Sequence, residues 1–236
     1  MSRRRRLGIG SATQADDGMS LIELVVAMGV FSILLSLVVS MFVSGARSFS
    51  DQQGALENSR LASTSMNEVT RVIRAGTELP VPGNADNLPV FAFAGTEEII
   101  INSFIDVGTS SNPPPVRVRF ARDGDDELIE TRWAAFPDPV DPAYWKYETS
   151  ASYSRSIARS LTPATADAPT FRFYDNSGAQ LTPPAGGGLS LDQIRNVARV
   201  QVTMQVQADE GGRVEPVQIQ NMVGLPNLGL ALVEVD

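Results

Sequence analysis

The chain has 236 residues, 19 Lys and Arg against 27 Asp and Glu, a net charge of −8, and neither Cys nor His. Lacking those two residue types, it has no thiol nucleophile, disulfide, imidazole base or common zinc-site pattern, so any catalysis would rest on carboxylates, Ser, Lys or Tyr. The acidic balance, which deepens to −10 once residues 1 to 18 with their four Arg and two Asp are removed, disfavours nucleic acid as a partner of the whole molecule, because phosphate backbones need clustered Lys and Arg.

From Leu24 to Ala46 run 23 residues without a charge. About twenty helical residues span the hydrocarbon thickness of a bilayer, so this stretch predicts one transmembrane helix. Arg3, Arg4, Arg5 and Arg6 precede it. The positive-inside tendency then keeps the N-terminus cytoplasmic and places the rest of the chain outside the cytoplasmic membrane. A conventional secretory signal has a shorter apolar run with its cleavage site behind it. Here a polar segment ending in Asp16-Asp17-Gly18 comes first, and a cut after Gly18 would leave the helix attached. Glu23 puts an ionisable group at the start of the membrane helix, a costly placement that marks a function or a partner, the alternative being a glutamate among lipid headgroups. Ser32, Ser36 and Ser40 recur every four residues and, with Gly29, form a small-residue stripe that would let helices approach closely. Serines bonding their own backbone carbonyls would give the same pattern.

The run Gly18-Met19-Ser20-Leu21-Ile22-Glu23-Leu24-Val25-Val26-Ala27-Met28 resembles the class III signal of type IV pilins and type II secretion pseudopilins. The resemblance implies cleavage by a prepilin peptidase after Gly18, N-methylation of Met19, and a carboxylate at the fifth mature position, Glu23, that meets the N-terminal ammonium of a neighbouring subunit. Its implied partners are that peptidase, other pilins or pseudopilins through the N-terminal helix, an inner-membrane assembly platform and membrane lipid. Phe is commoner than Met at the first mature position, and the 18-residue leader is longer than in many members.

Beyond Ala46 an apolar seam at Phe49, Leu56, Ala62, Met66, Val69 and Ile73 continues the helix to about Ala75, where Gly76 stops it and Pro80 and Pro82 prevent a restart. Gly54 weakens it by about 1 kcal/mol relative to Ala. Strands are expected at Val90 to Phe93, Glu98 to Phe104, Val116 to Ala121 and Glu127 to Trp133, the last two joined by the turn Arg122-Asp123-Gly124-Asp125-Asp126. That Asp-rich turn lacks the spacing and downstream Glu of an EF-hand and reads as a solvated turn. Residues 134 to 169, with Pro137, Pro139 and Pro142, read as an irregular insertion with a short helix around Tyr153 to Leu161. Phe171 to Tyr174 reads as a strand followed by the turn Asp175-Asn176-Ser177-Gly178, Thr182 to Gly188 as a loop, and Leu191 to Asn196 as a short helix. Ala198 to Gln207 alternates as a strand with one buried and one wet face, paired to Val214 to Val223 across Gly211-Gly212. The segment Phe171-Arg172-Phe173-Tyr174-Asp175, the run from Leu191 to Val202 and the late strand ending near Asn221 resemble the minor pseudopilin J and minor pilin W group.

The fold class expected is α+β: a long N-terminal helix, half membrane-spanning and half amphipathic, packed on a mainly antiparallel β-sheet head. The domains expected are a leader (1–18), a transmembrane assembly helix (19–46), its amphipathic continuation (47–75) and an extracytoplasmic head (76–236). No phosphate loop, nucleophile elbow, dinucleotide fingerprint or metal-ligand cluster occurs, which predicts neither cofactor nor catalysis. Trp133, Trp145, Tyr144 and Tyr147 offer either core or an aromatic contact surface. The function expected is that of a minor pilin or pseudopilin initiating or capping a filament. The alternatives are a membrane-anchored surface protein with a ligand-binding head, and a DNA-uptake subunit using Arg117, Arg119, Arg122 and Arg132.

Overall fold

Helix α1 spans Leu21–Arg74 in the computed structural model, which describes residues 19–84, 86–105, 113–165, 167–207 and 215–227. The chain is free of Pro until Pro80, so nothing interrupts the backbone ladder. Arg71 and Arg74 lie in the last turn, the favourable end of the helix dipole for cations. Gly76 follows where a stop was expected, but its role is space. A Cβ there would lie 2.7 Å from Val90 Cγ1 and 2.9 Å from Ile101 Cδ1, and its φ is not positive. The leader, the turn at Gly211-Gly212 and the start of its partner strand at Val214 lie outside the described residues.

Residues 1–50 and 51–236 form two separate compact units. In the first, described from Met19, every large apolar side chain from Met19 to Val43 is at least 39 % exposed. In the second, the helix turns an inward face of Ala62, Ser65, Met66, Val69, Val72 and Ile73 onto a core built from two antiparallel sheets. The spacing of these residues, in steps of one, three and four, keeps them on one side of the helix.

The larger sheet contains β1 (Phe91–Ala94), β2 (Glu98–Ser103), β3 (Val116–Arg122), β4 (Leu128–Pro137), β5 (Trp145–Tyr147) and β6 (Tyr153–Ala158). The first four are neighbours in chain order, and β4 carries both β5, at its C-terminal end, and β6, along its N-terminal half. The second sheet, in the order β10-β9-β7-β8, contains β7 (Phe171–Tyr174), β8 (Gln180–Leu181), β9 (Arg199–Val206) and β10 (Val217–Gly224). Helix α2 (Leu191–Arg195) precedes β9, its start fixed by a capping box between Ser190 and Gln193. Backbone bonds sew the sheets together at both flanks: Thr162 N–H to Gln205 O and Phe171 N–H to Thr96 O, each 2.9 Å, and Leu189 N–H to Ala94 O at 2.9 Å. Phe91 and Phe173 meet edge to face across the join, 5.9 Å between ring centres. The fold is therefore α+β, with a long N-terminal helix and antiparallel sheets.

Two expectations need correction. The segment 134–169 is not wholly irregular: β4 continues to Pro137, and Tyr153 to Ala158, read as helix, is a strand paired to Leu128–Arg132. A local helical reading lost to the ladder offered by β4. Strand β9 has no wet face over its middle, because Gln201 and Thr203 are as buried as Val200, Val202 and Met204. The Tyr174 hydroxyl donates to Gln201 Oε1 at 3.1 Å, satisfying that buried amide oxygen. The β3–β4 hairpin forms as expected, with the left-handed residue at Asp126 (φ 60°) instead of at Gly124. Asp123 Oδ1 accepts the backbone N–H groups of Asp125 and Glu127 at 3.0 and 2.9 Å, which spends that carboxylate on the turn.

Candidate assembly segment and the charged clamp of the head

The N-terminal unit begins with Met19, 66 % exposed, two residues before α1. Leu24 N–H bonds Ser20 O at 3.1 Å, so Glu23 sits in the first turn, where a carboxylate complements the exposed N–H groups. The Glu23 side chain is exposed, and among the described residues no cation pairs with it. Gly18 lies outside the described residues.

Ser32 Oγ donates to Met28 O at 2.7 Å and Ser36 Oγ to Ile33 O at 2.8 Å. Two of the three serine hydroxyls of the small-residue stripe thus meet their own backbone. At Gly29 and Gly45 an added Cβ would meet nothing within 4 Å. Glycine costs a helix about 1 kcal/mol relative to alanine, and nothing among the described residues requires it at either position.

In the head, charge converges where β4 and β6 face the helix. Glu130 is fully buried, an acid on the same side of β4 as Leu128. Arg132 Nε and Arg155 Nε donate to its two oxygens at 2.5 and 2.8 Å. The far nitrogens of the same two guanidinium groups reach Glu68 Oε1 on α1 at 3.0 and 2.9 Å, and Arg71 adds a bond to that oxygen at 2.8 Å. Two carboxylates bridged by two forked cations close a ring that ties helix to sheet. The Tyr153 ring lies 5.5 Å from both guanidinium carbons. The hydrogen bond from Arg71, with the charges of Arg155 and Arg132, holds the Glu68 carboxyl below its ordinary range despite partial burial. This clamp escaped the sequence reading, which had no means to bring Glu68, Glu130 and Arg155 together.

The four hairpin arginines do not form one patch. Arg117 and Arg119 face away from the helix and Arg132 toward it, as their register opposite Trp133, Thr131 and Val118 requires. Arg119 pairs with Glu98 at 2.6 Å, and Arg122 donates to the carbonyls of Thr162 and Leu161 at 2.7 and 2.8 Å. Arg117 bonds Asn102 Oδ1 at 3.1 Å and stacks 4.1 Å over the Tyr147 ring. Each guanidinium is thus engaged within the chain.

Of the four aromatics singled out, Trp133 and Tyr147 line a 230 Å³ hollow with Arg117, Ile100 and Ala92 on the outer face of the larger sheet. Burial pushes the Tyr147 phenol up, so it stays protonated. Its hydroxyl and Trp145 Nε1 are buried without hydrogen-bond partners among the described residues. Trp145 sits beside Pro137 in the β4–β5 pair. Tyr144 is half-buried; its backbone N–H donates to Asp141 O at 3.0 Å and its carbonyl accepts from Asp138 N–H at 2.8 Å.

Residues 14–44 match the family model described as the prokaryotic N-terminal methylation motif. No curated protein and no solved structure matches the chain. The matched span covers Gly18, Met19 and Glu23 together with most of the exposed apolar helix. A signal of this type implies processing by prepilin peptidase and association with other pilins, and with an apolar helix of this length it supports membrane anchoring. The chain thus carries a prepilin-type methylation signal on a helix able to cross a membrane, which supports placing it in the broad class of pilin and pseudopilin subunits.

Proposed function

We propose that the protein is a minor pilin or pseudopilin of the J and W kind, made as a precursor, cut after Gly18, methylated at Met19, and assembled through residues 19–46 as an initiating or capping subunit of a type IV pilus or type II secretion-like filament. The supporting observation is the methylation motif over residues 14–44, which from Leu21 onward lies on a helix whose large apolar side chains are exposed. A helix apolar all round needs either lipid or other helices. Before assembly it spans the cytoplasmic membrane once, with its N-terminus cytoplasmic and its head outside. The role is structural and not enzymatic.

Assembly moves the helix from lipid into a bundle. There lateral packing replaces lipid contacts and the small faces at Gly29 and Gly45 admit close neighbours. Glu23, without a partner among the described residues, pairs with the Met19 ammonium of an adjacent subunit, which compensates both charges in a low-dielectric setting and sets the axial register. The assembly platform and the prepilin peptidase act on this same segment.

Glu23→Ala is the test. Loss of a charge at the membrane edge should leave insertion and cleavage intact, while co-purification with sibling pilins from membranes holding equal amounts of the variant falls. Unchanged association would reduce Glu23 to an interfacial residue and remove the assembly step from this reading. An anchored receptor is the second reading, favoured by the hollow between Trp133 and Tyr147. For the DNA-uptake alternative nothing comparable stands out, since its four arginines are all engaged within the chain.

A further inference from the structure

The hollow on the outer face of the larger sheet, about 230 Å³, is lined by Ala92, Ile100, Arg117, Trp133, Tyr147 and Glu148. Strand register gathers them. Arg117 stands opposite Trp133 in the β3–β4 pair and opposite Asn102 in the β2–β3 pair, and Tyr147 continues the row from β5, opposite Ala135. Pockets built mainly from apolar and aromatic walls fix a ligand through a few placed polar groups. This one falls below the roughly 300 to 1,000 Å³ that drug-sized ligands occupy, and it suits a single ring.

Arg117 is the cation of the hollow, and it is short of a counter-charge. The other three hairpin arginines each hold a carboxylate: Arg119 that of Glu98 at 2.6 Å, Arg122 that of Asp126 and Arg132 that of Glu130, both at 2.5 Å. Arg117 holds none among the described residues. Its Nε donates to the neutral amide oxygen of Asn102 at 3.1 Å, and its guanidinium carbon lies 4.1 Å from the centre of the Tyr147 ring. Asn102 is itself fixed, being buried and donating Nδ2 to Pro89 O at 3.1 Å. One end of the guanidinium is thus anchored, while no acceptor for its two terminal nitrogens lies among the described residues. Burial holds Arg117 below the ordinary guanidinium value, with Tyr147 acting against that shift. Glu148 makes no ion pair with it among the described residues. The Tyr147 hydroxyl and Trp145 Nε1, two residues apart on β5 and so on one face, add further donors without partners among the described residues.

We infer that this hollow binds a small aromatic carboxylate, its ring packed on Trp133 and Tyr147 and its carboxyl group held by the terminal nitrogens of Arg117. The planar guanidinium fork matches the two oxygens of a carboxylate, and aromatic walls favour an aromatic ring. A neutral ring would leave the cation uncompensated. A sugar acid would set most of its hydroxyls against Ala92, Ile100 and the two aromatic rings, where apolar walls leave them unbonded. The inference deepens the receptor reading and rests on the head alone. Cleavage at Gly18 and the Glu23 phenotype decide the filament reading separately.

The test uses the full chain in a nonionic detergent and reads tryptophan fluorescence, because Trp133 lines the hollow and Trp145 is the only other tryptophan. Benzoate should quench it with a dissociation constant on the order of 1 mM, and neutral benzamide should bind about tenfold more weakly. Arg117→Gln should erase that preference. Ala92→Phe, which fills the hollow and leaves Arg117 in place, should weaken benzoate about tenfold, and an unchanged cooperative melt shows that folding is not what is lost. Arg159→Gln, at an exposed arginine paired with Glu127, should bind benzoate as the parent does. Benzoate quenching indifferent to Arg117→Gln or to Ala92→Phe would overturn the proposal. Equal binding of benzamide or glucuronate, lost in Ala92→Phe, would overturn the aromatic acid and keep the receptor reading. No quenching by any of the three would overturn the proposal and take the hollow out of that reading as well.

Discussion

Residues 19–50 and residues 51–227 solve opposite problems with the same kinds of side chain. In the first region Leu34, Leu35 and Phe42 are 51 to 75 % exposed, while in the second Phe120, Phe173 and Leu128 are at 0 %. The carboxylates differ in the same way: Glu23 has no cation among the described residues, whereas Glu130 holds two arginines and shares them with Glu68. The head buries its largest aromatic side chains and pairs its buried carboxylate within the chain. The N-terminal region turns its apolar side chains outward, which under the proposed function serves lipid first and neighbouring helices afterwards.

Matched truncations sharpen this contrast most strongly. Phe120→Ala should destabilise the head by about 3 to 5 kcal/mol, the cost of emptying a packed aromatic site. Leu34→Ala should leave the head's melt within about 0.5 kcal/mol of the parent. Both Trp residues, Trp133 and Trp145, lie in the head, so tryptophan fluorescence of the full chain in detergent reads that unit. A large effect of Leu34→Ala on the melt would break the division.

A smaller effect is expected from removing a buried carboxylate. Glu130→Ala should cost about 3 kcal/mol, because Arg132 and Arg155 lose their buried counter-charge and keep only Glu68. The same substitution at Glu23, by contrast, should leave the melt alone. Equal effects at the two sites, read by the same fluorescence, would mean that the ring around Glu130 contributes nothing to holding the sheet to the helix.

The smallest effect is the pH dependence of Glu68. Its folded carboxyl titrates below the ordinary value of 4.5, chiefly through the hydrogen bond from Arg71. The stabilisation is therefore present above that ordinary value and is lost as pH falls through the lowered folded one. Because the carboxylate remains 20 % exposed, the loss should be no more than about 1 kcal/mol. Melts recorded between neutral pH and acid should fall more steeply for the parent than for Glu68→Gln, and parallel curves would refute the assignment.

How much of this was legible in the sequence depended on range. The membrane helix follows from 23 uncharged residues in a row, and the β3–β4 hairpin from alternation on either side of an Asp-Gly turn, both local patterns. Helix α2 is announced by Ser190 and Gln193 three residues apart. The strand at Tyr153 was missed because its partner, β4, is more than twenty residues away, and because Tyr153 and Arg155 are exposed and meet charge instead of core. The clamp was missed for the same reason, since Glu130 and Arg132 occupy inward positions that a simple apolar alternation forbids.

The intact mass of the protein purified from its native membrane tests the central claim most directly. A chain beginning at Met19 and heavier by one methyl group is the predicted result. A chain retaining Met1 in a host with an active prepilin peptidase would contradict the account, because the exposed helix would then be an ordinary anchor and not an assembly element.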